Sequence, residues 1–363
     1  MEFIELYDKA VSESHLTFDP SEIDVRQANF SCHQILDMLE HNEINLATDF
    51  QRSSDLWSAS RMSKFIESMF LDLPIPPFYF NEIAKNEAWE IIDGLQRLST
   101  LKSFCTDNEK SNKLILTDMD FFPELNGLGF ESIPRHLIRN FHSSQLQLHI
   151  VSPDTPFEVK HRIFERINTT NLPLKAQEVR HALYQGYTIE VLKRAVDKII
   201  SPRGIHIKDE RMECQQMVLR LFAFSCFGYT RYPQGSDLKK FLDNSIRTFS
   251  KLNKKKLDSI YRELEKNLDF CQEVLGEYFF VNAKNERKIL NKGILDSFVY
   301  AASKLNKDDR DRCRKNKVLV LELFQNIFDD DRFIKSISSA TSRIDNVKYR
   351  MDKAESVLRM KND

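Results

Sequence analysis

The chain is poor in backbone punctuation, with only 9 glycines and 11 prolines against 27 phenylalanines in 363 residues. That composition excludes collagenous, glycine-linker and proline-rich classes and points to bulky packed cores. An excess of either charge is also missing. The 53 Lys and Arg nearly cancel the 54 Asp and Glu, leaving a net charge of -1. A basic nucleic-acid coat is thereby excluded, while local basic faces are not. Long apolar runs are absent. The stretch Leu221–Phe227, apolar apart from Ser225, has seven residues, far short of the ~20 that cross a bilayer. No basic segment followed by an apolar one opens the chain at Met1-Glu2-Phe3-Ile4-Glu5, so no secretory signal and no membrane partner are expected. The six cysteines contain no C-x-x-C pair, which argues against a zinc ribbon and for reduced, mostly buried thiols in a cytoplasmic protein.

Two further absences bear on chemistry. No G-x-x-x-x-G-K-[ST] occurs, so any nucleotide work must use something other than a P-loop. All nine histidines lie at or before His206. An HNH nuclease site, which needs histidine as base and metal ligand, is excluded from residues 207–363. Glu158-Val159-Lys160 and Asp237-Leu238-Lys239 sit in helical patterns, which disfavours a PD-(D/E)xK site.

The first half mixes two periodicities. Ser31 and Gln34 form a capping box ahead of Ile35, Leu36 and Leu39. Ser58 caps a helix bearing Met62, Phe65, Ile66 and Met69, which Pro74, Pro76 and Pro77 bring to an end. Phe78–Phe80, Trp89–Ile92, Leu114–Leu116 and Leu146–Val151 read as strands, with helices near 97–106, 134–141 and 156–167. From about residue 175 only helical periodicity remains, in segments from Lys175–Gln185 to Val318–Phe328. The expected architecture is α+β, with a mixed domain over 1–188 and an all-helical one over 189–363.

The chemistry concentrates in Trp89-Glu90-Ile91-Ile92-Asp93-Gly94-Leu95-Gln96-Arg97-Leu98-Ser99-Thr100-Leu101. A hydrophobic strand runs into Asp93-Gly94 and leaves as a helix. Gly94 can take a backbone angle closed to other residues, and free amides of the new helix suit a phosphate. Arg97 in the first turn could add a bidentate contact, and Asp93 could hold a divalent ion or orient water. The plainer alternative is an ordinary turn with Arg97 on a solvated face. Asp49-Phe50-Gln51-Arg52, followed by Trp57, could reach the same pocket, or Arg52 could pair with Asp49 or Asp55. Phe164-Glu165-Arg166-Ile167-Asn168 ends a helix before a polar loop and a second helix with Glu178, Arg180 and His181, where Glu178 could instead pair with an arginine.

The order of these clusters resembles the N-terminal domain family of GmrSD-type modification-dependent restriction enzymes. The resemblance rests on Phe50-Gln51-Arg52 with Trp57, Leu73-Pro74-Ile75-Pro76, the signature Asp93–Arg97, and Phe164 to Asn168 with Glu178-Val179-Arg180. It spans roughly 25–190. Ser339-Ala340-Thr341-Ser342 and Val347-Lys348-Tyr349-Arg350 look like a closing motif. The resemblance implies a ParB/sulfiredoxin-like fold and antiviral defence. It also implies a nucleoside triphosphate held at the signature turn, with hydrolysis in some members. Leu95 departs from the pattern, because the family carries its first glutamine there.

On this reading Asp93, Gln96 and Arg97 are the candidate catalytic residues. Gln51, Arg52, Gly94, Arg97, Ser99, Thr100, Asn168, Glu178 and Arg180 are the candidate nucleotide-binding residues. Asp93 is the candidate ligand of Mg²⁺. Lys239, Lys240, Lys254, Lys255, Lys256, Arg312 and Arg314 belong to basic stretches that could meet DNA phosphates, although such runs are usually solvated faces. The expected activity is nucleotide binding with hydrolysis. The alternatives are a DNA- or partner-binding module whose nuclease comes from a separate subunit, and direct DNA cleavage at the signature turn.

Overall fold

The computed structural model describes residues 2–13, 24–46, 57–82, 88–105, 113–155, 159–160, 163, 175–184, 186–205, 212–235, 237–277, 279–284 and 289–360. It divides into two units, Thr17–Lys175 and a second that joins Met1–Leu16 to Ala176–Asp363. The division falls at residue 176 and not at 189, and the first helix, α1 (Glu2–Glu13), goes with the helical residues. Its physical reason is the buried Tyr7, whose ring lies 4.4 Å from Phe227 and 6.0 Å from Phe241.

The unit Thr17–Lys175 is built on a five-stranded mixed sheet. Its strands are β1 (Val25–Ser31), β2 (Ile44–Asn45), β3 (Phe78–Glu82), β4 (Trp89–Asp93) and β5 (Gln145–Val151), in the order β1-β5-β3-β4-β2. β1 is antiparallel to β5 and β3 is antiparallel to β4, whereas β3–β5 and β2–β4 are parallel pairs. Phe78, Phe80, Trp89, Ile91, Leu146, Leu148 and Ile150 share one core cluster with apolar residues of four helices. These are α2 (Cys32–Glu40), α3 (Ala59–Phe70), α4 (Leu95–Cys105) and α5 (Arg135–Ser143). The capping box at Ser31 and the Ser58 cap are both formed.

Leu114–Leu116 is not a strand. Leu114 and Leu116 are buried and Ile115 is exposed, which produces a strand-like alternation. Their backbone pairs locally instead, with Leu116 N–H donating to the Leu128 carbonyl and Gly127 N–H to the Leu116 carbonyl. The following loop is held from below by the buried Glu67 of α3, whose carboxylate accepts from the amides of Asp120 (3.2 Å), Phe121 (2.7 Å) and Phe122 (3.2 Å). Of the expected helix at 156–167, only residues 159, 160 and 163 are described.

In the second unit the described regular elements are helices, together with one isolated bridge between Val281 and Leu290. They include α6 (Ala176–Leu183), α7 (Tyr187–Ala195), α8 (Glu213–Phe227), α9 (Leu238–Ser250), α10 (Lys254–Leu275) and α11 (Lys292–Ser303). They continue with α12 (Lys307–Lys315), α13 (Lys317–Asn326), α14 (Asp331–Ser338) and α15 (Ile344–Leu358). Among the described residues no helix is long and apolar enough to cross a membrane. All six cysteines are free thiols.

Replacing Glu67 by Ala should cost about 2–4 kcal/mol, because amide donors in the loop lose a buried charged acceptor. Urea unfolding of the variant checks this, and a loss under about 1 kcal/mol would show that the loop is held by its apolar contacts instead.

Candidate functional site

The passage from β4 to α4 is shaped by three local features. Gly94 takes φ +109°, and a Cβ built there would lie 2.4 Å from Cδ1 of Phe78. Only glycine therefore fits, both for conformation and for space. Between Phe80↔Ile91 and Tyr79↔Asp93 the register gains one residue on β4, so Ile92 is a bulge. A bulge re-aims the side chain that follows it. Asp93 consequently shares a face with Tyr79, opposite to the face on which Trp89 and Ile91 join the core.

Arg97 is neither solvated nor open. Its guanidinium donates to the Pro76 carbonyl, to the Pro77 carbonyl at 3.2 Å and to Asp93 Oδ2 at 3.1 Å, and it lies 4.3 Å from the Phe78 ring centroid. Burial raises the Asp93 pKa and lowers that of Arg97, in each case against the pull of the partner charge. Gln96 and Ser99 are half-buried in the first turns of α4. Thr100 is buried and its hydroxyl donates to the Gln96 carbonyl at 2.7 Å, so that group is occupied within the helix. Leu95 packs against the core cluster.

The sheet adds residues that motif reading passed over. Asp93, Tyr79, His149 and Gln27 stand in register across β4, β3, β5 and β1. The Tyr79 and His149 rings are stacked, with centroids 4.8 Å apart and planes 13° apart. In the next row Asn81 faces Glu90, its amide donating to Glu90 Oε2 at 3.5 Å and its oxygen accepting from Lys160 Nζ at 3.1 Å. Burial pushes the Glu90 pKa up to about 7. The same cause lowers the pKa values of His149 and Lys160. A carboxyl inside an otherwise apolar strand was the available signal for Glu90. Tyr79 and His149 carried none, because register across the sheet is not written in local sequence.

Glu178 and Arg180 lie on α6 in the helical unit, and both are buried. Arg180 Nε donates to Asp243 Oδ1 at 2.7 Å, and its terminal nitrogens reach the Lys239 carbonyl and Gln177 Oε1. It ties α6 to α9. Gln51, Arg52, Asn168 and the whole of Phe164–Leu174 lie outside the described residues.

The basic stretches differ from one another. Arg312 pairs with Asp309 at 2.6 Å, and Arg314 pairs with Glu273 at 2.9 Å and Asp311 at 3.1 Å. Those two arginines are neutralised in place. Lys239, Lys254 and Lys255 are exposed, Lys240 and Lys256 are half-buried, and Lys254 Nζ lies 4.9 Å from the Tyr187 ring centroid.

No three His, Cys, Asp or Glu side chains converge as a metal cage among the described residues. The Asp93 carboxylate is already held by Arg97 and by the Gly94 amide. Among the described residues none joins Asp93 to complete a resident divalent-ion site, so a Mg²⁺ here would come with ligand phosphates, as it commonly does.

A mixed α+β unit with a glycine-dependent strand-to-helix turn is the class that fold and site define. Residues 35–185 match the family model described as GmrSD restriction endonuclease, N-terminal domain. The matched segment runs past residue 175 and so includes α6. No curated protein and no solved structure matches the chain.

Two measurements test this geometry. Gly94→Ala should destabilise the protein by at least about 1 kcal/mol through strain alone. Thermal unfolding of Gly94→Ala with and without Phe78→Leu separates the two causes, since relief of the clash leaves the strain. For Glu90, the folded state favours the protonated form. Its stabilising contribution is full below the usual pKa of 4.5 and is lost as pH rises through about 7. Glu90→Gln should therefore gain on the parent protein between pH 5 and pH 8, by up to about 3 kcal/mol. A difference that is the same at both pH values would refute the burial effect.

Proposed function

We propose that the chain is a nucleotide-binding and nucleotide-hydrolysing protein of the restriction or antiviral-defence type, acting in the cytoplasm. On this reading the signature turn of a ParB/sulfiredoxin-like domain receives the phosphates. One observation carries it. The family signature falls on a strand-to-helix turn where a bulge aims Asp93, Gly94 supplies the positive φ of the turn and α4 begins. The first-turn amides of a helix lack intrahelical partners and carry the positive end of its dipole. They are the natural donors to a phosphate.

Arg97 takes a different role from the one its position suggested. It holds Asp93 and the Pro76–Pro77 carbonyls in place, so it acts on the ligand chiefly through the shape of the turn. Asp93 would orient the attacking water or contact Mg²⁺ brought by a triphosphate, and Gln96 would complete the polar lining. Arg52, Gln51 and Asn168 remain candidates from the resemblance. Ser99 is retained as a candidate donor. The intrahelical bond of Thr100 and the ties of Arg180 make those two supports of the fold.

A second reading is a DNA- or partner-binding module whose nuclease is supplied by another subunit. The absence of histidine from residues 207–363 favours it, as do the exposed Lys254 and Lys255.

Phosphate release with each nucleoside triphosphate and Mg²⁺, with and without DNA, separates the two. The parent protein should release phosphate. Asp93→Asn should slow release at least tenfold, and Leu95→Gln should raise turnover with little change in affinity, the signature of a group acting in the transition state. A folded protein that neither binds nor hydrolyses any nucleotide would sink the first reading and leave the second.

A further inference from the structure

A second, shallow concavity lies in the sheet-bearing unit, away from the signature turn. It is an open cavity of about 460 Å³ lined by Ser31, His33, Arg139, His142, Ser143 and Gln145. His33 Nδ1 and His142 Nδ1 face each other at 3.2 Å. Contact at that distance needs a proton on one of the two nitrogens or a third atom that both engage.

The proton can be placed. His142 Nε2 is buried and has no hydrogen-bond partner. A proton on it would be an unsatisfied buried donor, so the neutral ring carries its proton on Nδ1 instead. Burial and the neighbouring His33 both lower the His142 pKa, which favours that neutral ring. That Nδ1–H is donated to His33 Nδ1, and a ligand oxygen that displaced the His33 nitrogen would accept it instead. A metal ion bound at this Nδ1 would force the proton onto the unpartnered Nε2, and ligating imidazoles ordinarily have a partner for their second nitrogen. No third His, Cys, Asp or Glu joins the pair among the described residues. The site is built for an acceptor.

Charge selects which acceptor. Arg139 is exposed on α5 and forms no ion pair among the described residues, and His33 is exposed in the first turn of α2. That helix starts directly after the Ser31 cap, so its positive end adds to the field. We propose that this cavity is an oxyanion pocket that binds a phosphate group between Arg139, His33 and His142.

Topology gives the pocket a relation to the signature turn. β1 and β4 run in the same direction, since each is antiparallel to one of the parallel pair β3 and β5. The starts of α2 and α4 therefore lie at the same end of the sheet. They are separated by three strand spacings, or about 14 Å. The pocket does not depend on the nucleotide reading of the turn. Its phosphate could be a free phosphate group or one in a nucleic-acid backbone that also passes the turn.

Isothermal titration at fixed ionic strength with two probes, inorganic phosphate and a short single-stranded oligodeoxynucleotide, tests this. Salt must be constant because backbone contacts depend steeply on it. At least one probe should bind the parent protein, and its affinity should fall at least fivefold in Arg139→Ala and in His33→Gln. Both substitutions are at exposed positions, and circular dichroism checks that the fold is intact. Binding of both probes identifies a pocket for free phosphate groups, and binding of the oligonucleotide alone identifies a backbone contact. If neither probe binds, or if both variants bind as the parent does, the proposal is overturned.

Discussion

The sheet-bearing unit turns on one buried cation. The Arg97 guanidinium joins the Pro76 and Pro77 carbonyls to Asp93 while resting on the Phe78 ring. It thereby fastens the entry to β3, the exit of β4 and the start of α4 in a single contact. Gly94 is part of the same arrangement, because only a residue without Cβ lets Phe78 lie against the turn. Asp93 and Arg97 are costly to bury separately and tolerable together, since each offsets the desolvation of the other. The turn is rigid because its pieces cannot be moved one at a time.

The helical unit applies the same device elsewhere. Arg350 is almost fully buried and donates to the Thr341 carbonyl at 2.6 Å and the Ser336 carbonyl at 3.3 Å. Burial pushes its pKa down to about 10, opposed by nearby Asp296, which also pairs with Arg220. Arg180 holds Asp243 and the Lys239 carbonyl. A guanidinium presents a planar fork of donors that no other side chain matches, so it can satisfy several otherwise orphaned carbonyls at once. The residues between Ser339 and Arg350 that resembled a closing motif are thus bound together by Arg350, outside the matched family segment.

These structural arginines change the reading of charge along the chain. Arg312 and Arg314 lie in a basic run, yet their partners are acids of the same helix or its neighbour. The phosphate-directed groups are better sought among side chains that the fold leaves unpaired. Arg139 is of that kind among the described residues, and it lines the same concavity as His142, whose Nε2 is buried without a hydrogen-bond partner. Across the sheet, the row from Asp93 through Tyr79 and His149 to Gln27 supplies a polar face next to the signature turn.

Much of this was written locally. The Ser31 and Ser58 caps, the amphipathic helices, the strand before Asp93 and the turn at Gly94 follow from interactions within a few residues, so periodicity and motif spacing determined them. The family domain was readable from the same stretches, because its motifs keep their order along the chain. Contacts between distant segments were not. Leu114–Leu116 has the alternation of a strand, but its backbone donors and acceptors found Leu128 and Gly127 before any sheet edge. α1 departs from the N-terminal half because Tyr7 fills a gap beside Phe227 and Phe241. The bulge at Ile92 and the register that aligns Asp93 with Tyr79 and His149 depend on strand pairing. So does the clamp by Arg97, whose carbonyl partners lie about 20 residues upstream. Sequence alone determined where the turn lies and which residue types it carries. Tertiary packing decided which of them are spent on holding it and which face outward, because burial and hydrogen-bond partners are properties of the assembled chain.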